Sequence, residues 1–124
     1  MIGIGKFGFR AIPMAVVMGI IFYLSHQPSG TFQLPLITGL DKILHACIYT
    51  VLGLSSCFVF PSRVWRQHSV LISASVILFG LMFGISDEIH QSFIAGRDAS
   101  GADVVADVVG AFVAVFLYRF LRVL

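Results

Sequence analysis

Four long apolar stretches, residues 7–24, 43–60, 69–86 and 104–121, divide the 124-residue chain, and each has the roughly 17–25 residues that a helix needs to span bilayer hydrocarbon. A chain crossing lipid must satisfy its own backbone N–H and C=O groups, which leaves helices or a closed barrel. Barrel strands would be segments of about ten residues alternating apolar and polar, whereas these runs are apolar on every side. The expectation is an all-α membrane protein, a single four-transmembrane-helix bundle occupying residues 1–124. The 58% of hydrophobic residues against 11% charged agrees with lipid as the solvent. The net charge of +2, scattered along the chain, excludes a nucleic-acid footprint.

The connections differ in character. Residues 25–42 are rich in Pro, Gly, Thr and Ser, too polar and broken to span, and read as a surface loop or a short re-entrant piece. Residues 61–67 read as a tight connection, and 86–103 is the chemically densest stretch. Four crossings put Lys6, Arg10, Arg63, Arg66, Arg119 and Arg122 on one side, so the positive-inside rule makes that side, with both termini, cytoplasmic. Lys6 and Arg10 before an apolar run resemble a signal peptide, yet Ser25-His26-Gln27-Pro28 offers no small-residue cleavage site, so a retained signal anchor is expected. Cys47 and Cys57 lie on one helix, about 15 Å apart along its axis, and are expected to be packing residues rather than a disulfide. Small residues at Ala102, Ala106, Gly110 and Ala114, and at Gly80 and Gly84, mark candidate packing seams.

Polar residues fall on helical spacings at the opposite, outer face. Asp41, His45 and Tyr49 recur at every fourth position; Asp87, His90 and Gln91 share a face by the same rule, as do Asp103, Asp107 and Gly110. Ionisable groups are costly in lipid and face a partner or a wet cavity. The expectation is an outward-open pocket lined by His45, Tyr49, Asp87, Glu88, Gln91, Arg97, Asp103 and Asp107. All six acids of the chain, Asp41, Asp87, Glu88, Asp98, Asp103 and Asp107, gather there against Lys42 and Arg97.

That charge excess attracts a cation or shares protons. Carboxylates with a histidine suit a hard or borderline divalent ion, although no HExxH-like spacing fixes a ligand set, so no metal residues and no cofactor are assigned. The alternative is a salt-bridged structural network. Arg97 beside the starts of the second and fourth helices offers a fork for phosphate, or serves as the partner of nearby carboxylates such as Asp98. His45, Asp87, Glu88 and Asp103 are the candidates for acid, base or metal-ligand roles. Ser86, Ser92 and Ser100 sit in no Gly-x-Ser-x-Gly elbow, which disfavours a serine hydrolase. His26 and His68, at segment ends, are expected at the interface or in solvent.

These residues also carry a resemblance. Asp41-Lys42-x-x-His45-x-x-x-Tyr49-x-x-Leu52-Gly53, then Asp87-Glu88-x-x-Gln91-x-Phe93-x-x-Gly96-Arg97, then Ser100-x-x-Asp103-x-x-x-Asp107-x-x-Gly110 resemble the motifs of the VanZ-like family. With Ser25-His26-Gln27-Pro28, similar to the motif closing that family's first helix, the likeness covers roughly four fifths of the chain. Two positions depart from the pattern: Ala95 stands where the family often has Pro, and Asp107 where Asn is usual. The resemblance implies a multi-pass protein of the bacterial inner (cytoplasmic) membrane, with Asp41, Lys42, His45, Tyr49, Asp87, Glu88, Gln91, Arg97, Ser100, Asp103 and Asp107 as its binding residues. It implies a role in the cell envelope and in antibiotic resistance, since the family is named after a protein that lowers teicoplanin susceptibility. It names no reaction. Three functions follow: binding an envelope lipid or glycan precursor, metal-assisted enzymology on a lipid phosphate or headgroup, and a structural scaffold. Transport is disfavoured because no repeat pair or broken helix supplies alternating access, unless the chain forms a homo-oligomer.

Overall fold

The computed structural model describes residues 4–123, with helices α1 (Ile4–Ser25), α2 (Leu40–Val59), α3 (Ser62–Gln91) and α4 (Gly101–Val123) in that order. All four are long and apolar enough to cross a membrane. Side chains exposed on the isolated bundle, such as Phe9, Phe22, Val70, Leu71 and Phe116, therefore face lipid rather than water. The ends of α1 and α3 and the starts of α2 and α4 meet at one end of the bundle, which carries Lys42, Arg97 and all six acids. Arg10, Arg63, Arg66, Arg119 and Arg122 occupy the other.

Helix association in lipid gains little from the hydrophobic effect and depends on close backbone approach. The α2–α4 pair achieves this at Gly110, where an added Cβ would run into the Ala46 carbonyl and Tyr49, and at Gly53, which lies against Ala111 and Ala114. Thr50 bridges the seam, its hydroxyl reaching the Ala46 carbonyl at 2.7 Å and the Gly110 carbonyl at 3.2 Å. Gly80 and Gly84 of α3 receive Ala111 and the Asp107 side chain. The seam on α4 thus runs through Asp107, Gly110, Ala111 and Ala114; Ala102 is exposed, outside it. Two apolar clusters complete the interior: Cys57, Trp65, Ile72, Val76 and Val115 towards the basic end, and Ile21, Tyr49 and Leu52 under Phe79 and Phe83. Cys57 is a buried packing residue, whereas Cys47, expected to pack in the same way, is exposed; both cysteines are free.

Two connections differ from expectation. Residues 62–67 are helical, joined to the rest of α3 through a non-helical His68 at φ −135° and ψ 37°. Trp65 explains the extra turn: its ring enters the core and its indole N–H donates to the Cys57 carbonyl at 3.0 Å, while Arg63, Arg66 and Gln67 stay outside. At the polar end α3 continues to Gln91, so Asp87, Glu88, His90 and Gln91 stand on a helix and the connection is residues 92–100 alone. Residues 26–39 form turns without a helix, and Phe32, Leu34, Leu36 and Ile37 are exposed. Gly96, at φ 72°, lets the 92–100 connection fold against Ser29, whose N–H donates to the Ala95 carbonyl at 3.2 Å.

α1 is held least by packing: 6% of its spanning window is buried, against 39% for α2. Its hold is polar. Arg10 sends two N–H bonds, both 3.3 Å, to the Val59 and Phe60 carbonyls at the end of α2 and lies 4.3 Å over the Phe58 ring. These acceptors are carbonyls that a helix terminus leaves unsatisfied, and the guanidinium also meets the negative end of the dipole.

Candidate functional site

One side of the polar end is built from α2 and α4. Lys42, one turn into α2, bridges Asp41 at 2.6 Å and Asp103 at 2.5 Å. One turn further His45 points its Nδ1 at Asp107 Oδ1, 2.9 Å away, with Nε2 4.0 Å from Asp103. The next residue on this face, Tyr49, is buried with its hydroxyl unpartnered. Lys42 and His45 of α2 thus meet Asp103 and Asp107 of α4, while Asp41 lies at the exposed rim. Asp107 is wholly buried, with 0% of its surface accessible, held between His45 and the gap that Gly84 leaves on α3.

α3 supplies the opposite side. Glu88, 4% exposed, accepts the Ser100 backbone N–H at 2.7 Å through Oε2, while its Oε1 is unpartnered. Ser100 in turn caps α4, its hydroxyl accepting the Asp103 N–H at 3.4 Å. His45, Glu88 and Asp107 bring one potential ligand atom each within 4.8 Å of one another. Asp87 is held differently: the Gln91 amide donates to its Oδ2 and to the Ser25 hydroxyl, both at 3.2 Å.

Arg97 is committed to backbone. Its guanidinium donates to the Leu24 and Gln27 carbonyls at 3.1 and 3.0 Å and approaches Gln91 Oε1 at 3.5 Å. It thus closes the end of α1 as Arg10 closes the end of α2. The expected carboxylate partnership with Asp98 is not formed; Asp98 is exposed. His90 also departs from expectation, leaving the Asp87–Gln91 face to stack on Phe22 at 4.7 Å and meet His26 at a ring nitrogen separation of 3.2 Å. His26 is exposed, as expected. Ser25, which the helical spacings did not single out, also contributes; its signal in the sequence is the Ser25-His26-Gln27-Pro28 motif.

A cavity of about 540 Å³ lies between α1, α2, the end of α3 and the 26–39 connection. Ile21, Leu24, Phe32, Leu34, Leu44 and Ile48 form apolar walls, and Ser25, Asp41, His45, Tyr49, Asp87, Gln91 and Arg97 add polar groups. Of the expected lining, Glu88, Asp103 and Asp107 are absent from these walls. They face inward between α2, α3 and α4, because the α2–α4 seam closes too tightly to leave an opening beside them. The volume is within the roughly 300–1,000 Å³ of small-molecule sites.

No curated protein and no solved structure matches the chain. The sequence model of one family, described as VanZ/LLP1, matches residues 9–122, from the first turns of α1 through the whole polar end to the last turn of α4. On that match, and on four membrane-crossing helices, the chain is a multi-pass membrane protein that belongs to the VanZ/LLP1 family.

Proposed function

We propose that the chain is a lipid-binding protein of the bacterial cytoplasmic membrane, with its polar end and cavity facing outward, both termini inside, and an envelope lipid or glycan precursor as its ligand. The observation that carries this reading is the cavity's composition, apolar along Leu44, Ile48 and Phe32 and polar at Asp41, His45, Asp87 and Gln91. An amphiphile matches such a space, its chain against α2 and its head among the polar groups. With two carboxylates, and Arg97 largely committed to carbonyls, the polar part favours a head rich in hydroxyl or amine donors over a bare phosphate. Sugar hydroxyls are donors of this kind, which supports the glycan-bearing lipids of the envelope. Sequestering such a precursor would alter the response to drugs that act on it, and teicoplanin susceptibility is the phenotype to measure.

The test is native mass spectrometry of gently solubilised protein beside L44W, which fills the cavity from a lipid-facing position, and D87N. Expected is a discrete lipid adduct on the wild type, lost in L44W and weakened in D87N, with a parallel loss of any teicoplanin effect on expression in cells. Bulk lipid alone on folded wild type would overturn the reading and leave the polar end as a structural scaffold. A second reading, a metal-assisted membrane enzyme acting on a lipid phosphate or headgroup, draws on His45, which lines the cavity and also contacts buried Asp107. It predicts a time-dependent mass change in the bound lipid.

A further inference from the structure

The buried acids are not balanced by the cations beside them. Asp87, Glu88, Asp103 and Asp107 are all less than a tenth exposed. Among the described residues, Lys42 pairs with Asp103 and Asp41, and His45 is the one basic side chain on Asp107. Arg97 spends its donors on carbonyls and the Gln91 side chain. Glu88 therefore has a backbone N–H on one oxygen and no cation on either. An uncompensated buried charge costs several kcal/mol by general estimate.

Among the described residues, three buried oxygen atoms with neither a hydrogen-bond nor an ion-pair partner accompany this imbalance: Glu88 Oε1, Asp107 Oδ2 and the Tyr49 hydroxyl, on residues 4%, 0% and 1% exposed. Glu88 and Asp107 belong to the group that converges with His45 within 4.8 Å. Tyr49 follows His45 by one turn on the same face of α2. One imidazole nitrogen and two carboxylates are a donor set for a borderline divalent ion, with zinc and manganese the natural candidates. The ion's two positive charges would cancel those of Glu88 and Asp107.

We infer that His45, Glu88 and Asp107, with Tyr49 one turn from His45 on α2, form a binding site for one divalent transition-metal ion at the junction of α2, α3 and α4. Ser100 orients Glu88 through its second oxygen, and Gly84 makes the room on α3 in which Asp107 sits. An ion reaches the site past His45, the member of the group that also lines the cavity. The expected ligands Asp87 and Asp103 lie outside this set, the first held by Gln91 and the second by Lys42.

The experiment is calorimetric titration of chelator-treated protein in nanodiscs with zinc and, separately, manganese. Expected is one saturable ion per chain and a raised Tm. E88Q and D107N should bind about tenfold or more weakly, as loss of a ligand costs at least what loss of its supporting partner does. H26A/H90A, which removes the exposed histidine pair, should bind as wild type does. No saturable binding overturns the inference, and so does binding that survives D107N and disappears in H26A/H90A. Should E88Q and D107N fail to fold, electron spin-echo measurements on manganese-loaded wild type decide the matter. Coupling to a single histidine nitrogen is expected, and no nitrogen coupling overturns the site. The metal site does not depend on the lipid reading, which L44W tests separately.

Discussion

At the scale of single residues, the polar end depends on who shares a burial with whom. Asp107 is fully enclosed and His45 is its ion-pair partner, so H45A leaves a carboxylate in a low-dielectric setting with nothing opposite. The expected loss is about 3 kcal/mol or more. D107N keeps the shape and the acceptor for His45 while removing the charge, and should cost clearly less. Reversible unfolding in mixed micelles gives both values, and the opposite ranking would remove the ion pair from the account. The fourfold spacings of Asp41, His45 and Tyr49, and of Asp103 and Asp107, were readable because a helix repeats its faces whatever it packs against. His90 was misplaced by the same rule. One residue from Gln91, it turns far enough around α3 to meet α1, and the sequence does not say which neighbour waits there. Arg97 was misread for a related reason: its partners are backbone carbonyls, and every residue has one.

At the scale of elements, the contrast is between a welded pair and a tethered helix. The α2–α4 weld predicts that G110A, whose added methyl meets the Ala46 backbone, destabilises by about 1–3 kcal/mol. G19A, with open space at the same distance on α1, should be neutral or stabilising by up to about 1 kcal/mol. Equal effects at the two positions in the same unfolding assay would mean the seam does not hold the bundle together. α1 depends instead on its ends, so R97A should raise hydrogen exchange through Leu24 and the 26–39 connection while leaving the α2–α4 core protected. Uniform exchange across all helices would contradict a local role. The helices themselves were visible as apolar runs, with ends within about three residues except in α3, which begins and ends well outside the expected 69–86. The 62–67 turn was hidden because its stability comes from one tertiary contact, the Trp65 indole on Cys57.

At the scale of the whole molecule, the two ends are chemically opposite, all six acids gathered at one and five of the six arginines at the other. The orientation proposed from that asymmetry predicts that a cysteine at Ser29 reacts with a membrane-impermeant maleimide from outside intact cells, and one at Gln67 only after permeabilisation. Reversed labelling would turn the molecule over and point the cavity at the cytoplasm. The division of charge was legible in the sequence; the division of labour among the arginines was not. Arg10 and Arg97 fasten α1 near its two extremities, with Met14, Val17, Met18 and Ile21 packed on α2 between them. Both fastenings end on main-chain carbonyls, an acceptor that any residue at positions 24, 27, 59 or 60 would present. The clasp is therefore indifferent to substitution on its receiving side and vulnerable only at its two donors.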